Sequence, residues 1–235
     1  PYVSYFRTAV AAEDVLDTAA NYAVDGLDAQ KVVIIDGGAS DDAARFAAHV
    51  RRLGADVVAT TPPNADWERI EHVVESADAA KVDVIYTTGD AEFAAQVAKT
   101  LAGTGLDATL VGGAALRSED FVTAAGTAAD GAVAVVDPHR VDTSTGAGED
   151  LAARLGEHVV DAPGSYAPAA YDAGTALAAV LRRCLSGEDT AAAAREKCVA
   201  EMAEVSFAGV TVEVAFVSFG DRAGTRPQVF QIWDG

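Results

Sequence analysis

The sequence predicts an α/β chain: a doubly wound parallel sheet, followed by a second, mainly helical domain. Three observations predict it. Lys31–Val58 (KVVIIDGGASDDAARFAAHVRRLGADVV) reads as an apolar strand, a glycine-containing turn, an amphipathic helix and a second strand. A continuous apolar run bounded by turn residues marks a strand covered on both faces. The rhythm returns at Lys81–Val111, and crossovers of this length join parallel strands with a right-handed connection. After Asp137 the alternation stops, and three helical patterns follow in series.

Taken in order, Tyr2–Arg7 alternates and is rich in aromatics, which suits a strand. Glu13–Val24 places Val15, Leu16, Ala19, Ala20 and Ala23 at helical spacing. A strand at Val32–Asp36, a helix from Asp41 to Leu53 and a strand at Asp56–Thr60 follow. Thr61-Pro62-Pro63-Asn64 is a turn, and Asp66 is placed to cap a helix through Val74. Val82–Thr87 is a strand, Glu92–Leu101 a helix, Thr109–Val111 a short strand and Ser118–Ala124 a short helix. Ala132–Val136 closes the first sheet. Asp137–Ala147 carries loop chemistry in Asp-Pro-His and Thr-Ser-Thr-Gly. Helices are expected at Glu149–Val159, Pro168–Leu185 and Thr190–Glu204, then strands at Val210–Phe216 and Gln228–Trp233.

The 235 residues suffice for one large or two small domains, and half of them are apolar. The net charge of −19 argues against nucleic acid and anionic membrane surfaces as partners, since those require Lys and Arg to neutralise phosphates. No apolar run approaches the roughly 20 residues of a membrane helix, so direct membrane insertion is not expected. The chain begins with Pro1 rather than Met and carries no signal segment, so it reads as a processed or partial form.

Eight short stretches in order carry a family resemblance: Tyr5-Phe6-Arg7-Thr8, Leu53–Val58 (LGADVV), Val82–Tyr86 (VDVIY), Ala129-Asp130-Gly131, Ala170–Ala173 (AYDA), Phe207–Val210 (FAGV) with Val214-Ala215-Phe216, Gly220-Asp221, and Val229–Ile232 (VFQI). Together the chain resembles the type I periplasmic solute-binding proteins, above all the branched-chain amino-acid receptors of ABC importers. The resemblance implies two α/β lobes joined by three crossovers, with a solute bound between them. It implies one complete lobe, residues 1–137 with 226–235, and a remnant of the other at 138–225, comprising three helices and a strand. Hinge strands would be Tyr2–Thr8, Val136–Arg140 and the segment around Arg222–Gln228. It further implies an extracytoplasmic location, an importer permease as partner, no enzymatic activity and no cofactor. A ligand-sensing receptor domain on the same fold is the alternative, and an enzyme on a doubly wound sheet a third reading.

Ligands of open parallel sheets bind beyond the carboxyl ends of the strands, which puts IDGGASDD and YTTGDAE on one rim. In the resembled receptors that lobe supplies a Tyr, a second aromatic residue and a Glu that pairs with the ligand's ammonium group. Counting from the strands places these at Asp41, Gly89 and Ala114, where none is kept. A buried ammonium without a partner is very costly, so Asp41 or Asp90 takes the place of the lost acid, or the ligand is not an α-amino acid. The competing account of Asp41 is a carboxylate favoured by a helix dipole. The expected contacts are Ser40, Asp41, Thr88, Gly89, Asp90, Gly113 and Ala114. Hydroxyl and N–H groups at Thr87-Thr88-Gly89 suit a carboxylate or another polar head, the alternative being ordinary helix capping. Gly37-Gly38 would let a ligand approach the backbone, but without GxGxxG or a phosphate-loop Lys a nucleotide site is not expected.

Enzyme signals are weak. His49, His72, His139 and His158 are scattered, with three on helices among charges as expected solvated faces, and no GxSxG occurs. Trp67 and Trp233 read as packing residues. Cys184 and Cys198 lie in no CxxC or Cys/His cluster, so no metal site is expected. Their pairing is left open. Proximity in sequence and an extracytoplasmic setting favour a bridge. A tight helical hairpin would instead hold the two about 12 Å apart along the axis.

Overall fold

The computed structural model describes residues 4–38, 41–63, 65–137, 141, 143–144, 146–158, 166–186 and 190–233. The chain packs as two units: Ala12–Val136 with Pro227–Gly235, and Pro1–Ala11 with Asp137–Arg226.

The first unit follows the strand–helix rhythm of the sequence. Its elements are α1 (Ala12–Asn21, continuing as a wider π turn over Tyr22–Gly26), β1 (Lys31–Ile35), α2 (Asp42–Leu53), β2 (Asp56–Thr60), α3 (Trp67–Ala80), β3 (Val84–Thr87), α4 (Ala91–Thr104), β4 (Thr109–Gly112), α5 (Glu119–Ala125) and β5 (Val133–Val136). The second unit holds α6 (Gly146–His158), α7 (Ala167–Cys184), α8 (Ala191–Ala203), β6 (Ser206–Ala208) and β7 (Glu213–Ala215), and β8 (Gln228–Gln231) returns to the first. The sheet order is β2-β1-β3-β4-β5-β8. The first five strands are parallel, and β8 runs antiparallel to β5, with Phe230 opposite Ala134.

The apolar runs read as double-sided strands are buried on both faces. Val32, Ile34, Val84, Tyr86 and Val133 point to one side, under Leu16 of α1 and Phe46 and Val50 of α2. Val33, Ile35, Ile85 and Ala134 point to the other, under Ile70, Val74, Val97 and Phe121 of α3, α4 and α5. The edge strand β2 alternates instead, leaving Val58 exposed.

The second unit contains no comparable sheet among its described residues. Its core gathers Ala176, Val180 and Cys184 of α7, Met202 of α8, Val205 and Val214, with Phe6, Phe207 and Phe216 packed against it. β6 and β7 form a two-stranded antiparallel ribbon. Polar interactions fasten the chain's start here. Val10 N–H donates to Asp137 Oδ2 at 2.8 Å, and Thr8 Oγ1 donates to the Ala169 carbonyl at 2.8 Å. The Arg7 guanidinium meets Asp221 at 2.6 Å.

These contacts correct the expected boundaries. Residues up to Ala11 group with 137–226 rather than with the sheet. Residues 1–3 of the expected Tyr2–Arg7 strand lie outside the described part. Residues 4–6 form no strand, and Arg7 makes a single parallel bridge to Asp221. The α3 helix runs beyond Val74 to Ala80, because Glu75–Ala80 keeps helix-compatible residues up to a left-handed Lys81. Val210–Phe216 shortens to β7, and its partner β6 is an added strand whose three residues are too few for a periodicity.

The cysteines form a disulfide, with Cα atoms 5.0 Å apart. Cys184 ends α7 and Cys198 lies in the second turn of α8. The expected 12 Å offset is absent because α8 meets the end of α7 with its second turn rather than its first.

Candidate functional site

With β1 and β3 adjacent and their following helices on opposite faces, the chain reverses its winding direction between these two strands. A crevice at the carboxyl ends of such a pair is where doubly wound folds bind ligands. Residues 36–38 and 88–90 leave the sheet there, joined by the loop from β4 at Gly113.

The two loop stems are tied by one network. Asp36 Oδ1 accepts from Thr88 Oγ1 at 2.8 Å and from Gly38 N–H at 3.1 Å. Thr88 Oγ1 in turn accepts from Gly37 N–H at 3.1 Å. Asp36 N–H donates to Thr61 Oγ1 at 2.8 Å, bringing in the stem after β2. The hydroxyl proton of Thr88 is therefore committed to Asp36. The expected ligand contact at Thr88 retains only acceptor capacity, and its first role is to brace β1 against β3.

The glycines serve packing in the same way. A Cβ on Gly37 would sit 2.4 Å from the Phe93 ring, so the ring occupies the side on which the sequence suggested a ligand. Gly89 has φ +104° and lies against the Gly37 backbone, with a Cβ there 3.3 Å from Gly37 Cα. Phe93 stands edge-on to Trp67 at 5.8 Å, which makes Trp67 the packing residue expected. Trp233 is not one: it is 68 % exposed, since β8 ends at Gln231 and leaves it beyond the sheet edge.

The acidic residues divide by their bonding. Asp90 caps α4, its Oδ1 accepting from Phe93 N–H at 2.9 Å, as the capping account has it. Asp41 precedes α2, is exposed, and makes no side-chain cap bond. Ala114 is exposed and begins a short 3-10 turn over Ala114–Arg117, after an extended Gly113. Ser40 lies outside the described residues. Beneath the rim, Tyr86 stacks on Phe46 with centroids 3.6 Å apart. Burial first, then the charges of Asp42 and Asp36, push its phenol above the usual range. The pairing of Asp36 with Thr88 and Thr61 joins residues 25 and 52 positions apart, and no local spacing signals it.

A cavity of about 300 Å³ opens at the opposite end of the sheet, between the end of α4 and the starts of β4 and β5. Its polar lining includes Asp107, Thr109, Thr127 and Asp130, and it lies away from the carboxyl rim. Among the described residues no cluster of His, Cys, Asp and Glu is arranged to hold a metal ion. His49 corrects the expectation of a solvated face: it is buried, with Nδ1 against Asp17 Oδ1 of α1. His72 is exposed as expected, and His139 lies outside the described residues.

Comparison with solved structures gives the same fold. The leucine binding protein LivK of Thermotoga maritima superposes with a TM-score of 0.77 at 19 % identity, covering 97 % of this chain and 65 % of that one. A solute binding protein of R. palustris, in complex with benzoate, gives 0.71 at 19 %, over 97 % and 66 %. The branched-chain amino acid binding protein LivJ of Streptococcus pneumoniae, in complex with isoleucine, gives 0.67 at 22 %, over 94 % and 62 %. The chain thus spans about two thirds of the length of these proteins. No curated protein sequence matches it. A family model described as periplasmic binding protein matches residues 1–234, and with the sheet order and the rim this chain belongs to the periplasmic binding protein family.

Proposed function

We propose that this chain is the larger part of the extracytoplasmic solute-binding component of an ABC importer, with no chemistry of its own. The observation that carries the reading is the match of the family model over residues 1–234. The two packing units correspond, in this reading, to one complete lobe and part of another. A small polar solute binds between lobes and is handed to a permease. One further observation supports it: the Cys184–Cys198 disulfide belongs in an oxidising compartment.

Asp41 is the acid at the rim best suited to a ligand. It is exposed and makes no cap bond, whereas Asp36 and Asp90 already accept hydrogen bonds from their own loops. It takes the role that Ala114 cannot fill and pairs with an ammonium group of an amino-acid-like solute. Gly89, Gly113 and Ala114 offer backbone to the solute. The crossovers bend as the lobes close. Arg7, Thr8 and Val10 are fastened within their own unit, so bending falls next to residue 11, past the Tyr2–Thr8 stretch.

The test is calorimetric titration of the complete gene product with leucine, isoleucine and benzoate. Asp41→Ala should weaken binding of an amino acid at least tenfold and leave the unfolding midpoint unchanged. Thr88→Ala should lower the midpoint, because it removes the brace. Undiminished amino-acid affinity in Asp41→Ala refutes the assignment, and no heat with any small solute refutes the function.

A further inference from the structure

The cavity at the amino ends of β4 and β5 is independent of the rim and lies wholly within one packing unit. Its floor is buried and apolar, made by Ala98 and Leu101 of α4, Leu110 of β4 and Ala132. Its mouth carries the exposed Asp107 and Asp130. Among the described residues that line it, none is Lys, Arg or His. Its volume of about 300 Å³ falls at the lower end of the range that holds small ligands. The end of α4 adds to the negative side. Among the described residues α4 ends, at the left-handed Gly105, without the backbone N–H bond that closes α2 at Gly54 and α3 at Lys81. The carbonyl end of a helix carries partial negative charge, and Ala102 of this last turn lines the cavity.

The neighbouring helix shows what such an end takes. Lys31, at the start of β1, donates from Nζ to the Ala80 carbonyl in the last turn of α3 at 2.8 Å. Val32 is level with Val84, and Val84 with Thr109, so Lys31 is level with Ala108, one residue before each. Both stand two residues before a side chain on the α3–α4 face of the sheet, Val33 and Leu110, and side chains two apart on a strand share a face. The chain therefore sends a butylammonium arm to the end of α3 and only a methyl group toward the end of α4, where the cavity opens. We propose that this cavity binds a small primary alkylammonium, its carbon chain on the Leu101–Leu110 floor and its ammonium group between the carbonyl end of α4 and the carboxylates of Asp107 and Asp130. The amine does for α4 what Lys31 does for α3. An anion would meet two carboxylates and the negative end of a helix, and a neutral alcohol would leave both carboxylates without a counter-charge.

The experiment is a methyl-resolved NMR titration of the complete gene product with n-butylammonium chloride, with n-butanol and sodium chloride as controls. The Leu101 and Leu110 methyl signals should shift and saturate, with half-saturation at about 1 mM, and n-butanol should need at least tenfold more. Asp107→Asn should weaken the amine at least threefold and leave the unfolding midpoint unchanged. Ala108→Lys supplies the arm from the chain itself, so it should raise the midpoint and abolish the saturable shifts. Should that variant not fold, Ala102→Leu, on the exposed last turn of α4, fills the mouth and should abolish them too. Shifts that never saturate, or that sodium chloride reproduces at equal ionic strength, reflect only attraction to a chain of net charge −19 and overturn the proposal. Equal affinity for n-butanol makes the cavity an apolar hollow and overturns it. Saturable shifts confined to the rim, at the Thr88 methyl, or undiminished in the filled variants, place the amine elsewhere and overturn it as well.

Discussion

Asp172 and Arg222 form the most enclosed charge pair described in this protein, with side chains 1 % and 0 % exposed. Asp172 accepts from Val210 N–H and Thr211 Oγ1, both at 2.8 Å. Arg222 donates to the carbonyls of Thr8, Val212 and Glu213, to Thr211 Oγ1 and to Asp172. Gly209 has to be glycine, since a Cβ there would lie 2.5 Å from the Asp172 carboxylate. Burial pulls the Arg222 guanidinium below its usual range, and the charge of Asp172 acts against that pull. A pair this well bonded is destabilising mainly when halved. Asp172→Ala should cost about 3–5 kcal/mol by chemical denaturation, and a loss below 1 kcal/mol would show the pair to be incidental. Tyr86 yields a second expectation, with a definite sign. Its phenol is raised from an ordinary 10.0. The folded chain therefore keeps a proton that the unfolded chain releases, and this stabilisation is complete below pH 10 and is lost as pH rises above it. Wild type should lose about 1.4 kcal/mol per pH unit more than Tyr86→Phe in that range. Parallel stability curves from pH 9 to 11 would refute it.

At the scale of elements, the disulfide joins the end of α7 to the second turn of α8. It closes a loop of 14 residues' separation in a unit whose core is small. The chain-entropy relation gives about 3 kcal/mol for a loop of that order. Reduction, or Cys184→Ser, should lower the stability of this unit by that amount. Thiol titration of the unreduced, denatured protein should find no reactive thiol, and two would exclude the bond. The rim depends on packing between elements. Gly37→Ala would push a methyl group into Phe93, displacing α4 from β1 at a cost of about 1–3 kcal/mol, read from the shift in urea midpoint.

For the whole molecule, the two packing units differ in kind. One has a six-stranded sheet whose inner strands are buried on both faces, and the other, among its described residues, three helices, a ribbon and one compact core. Amide exchange should reflect this. The slowest amides belong in β1, β3 and β4, whose ladders are enclosed on both sides. Those of α6, α7 and α8 should exchange earlier, and reduction should speed them while leaving the sheet unaffected. Equal acceleration in both units would mean that they unfold as one.

The strand–helix order of residues 31–136 was legible because each element carries its own period. The KVVII and VIYT runs and the helix through Phe46 are set by residues near one another in the chain. Asp66 was legible as a cap for the same reason. What spacing hid is contact at long range. The Thr88–Asp36 brace spans 52 residues, the Arg222–Thr8 bond 214, and the Phe93 ring over Gly37 comes from another helix. Periodicity marks which face of an element is apolar, so the sequence by itself determined the layers of the sheet. Which loop atoms were already spent on one another, and whether the two cysteines met, depended on how the elements cross. That crossing is decided only when the whole chain packs, because side-chain fit between distant segments sets it.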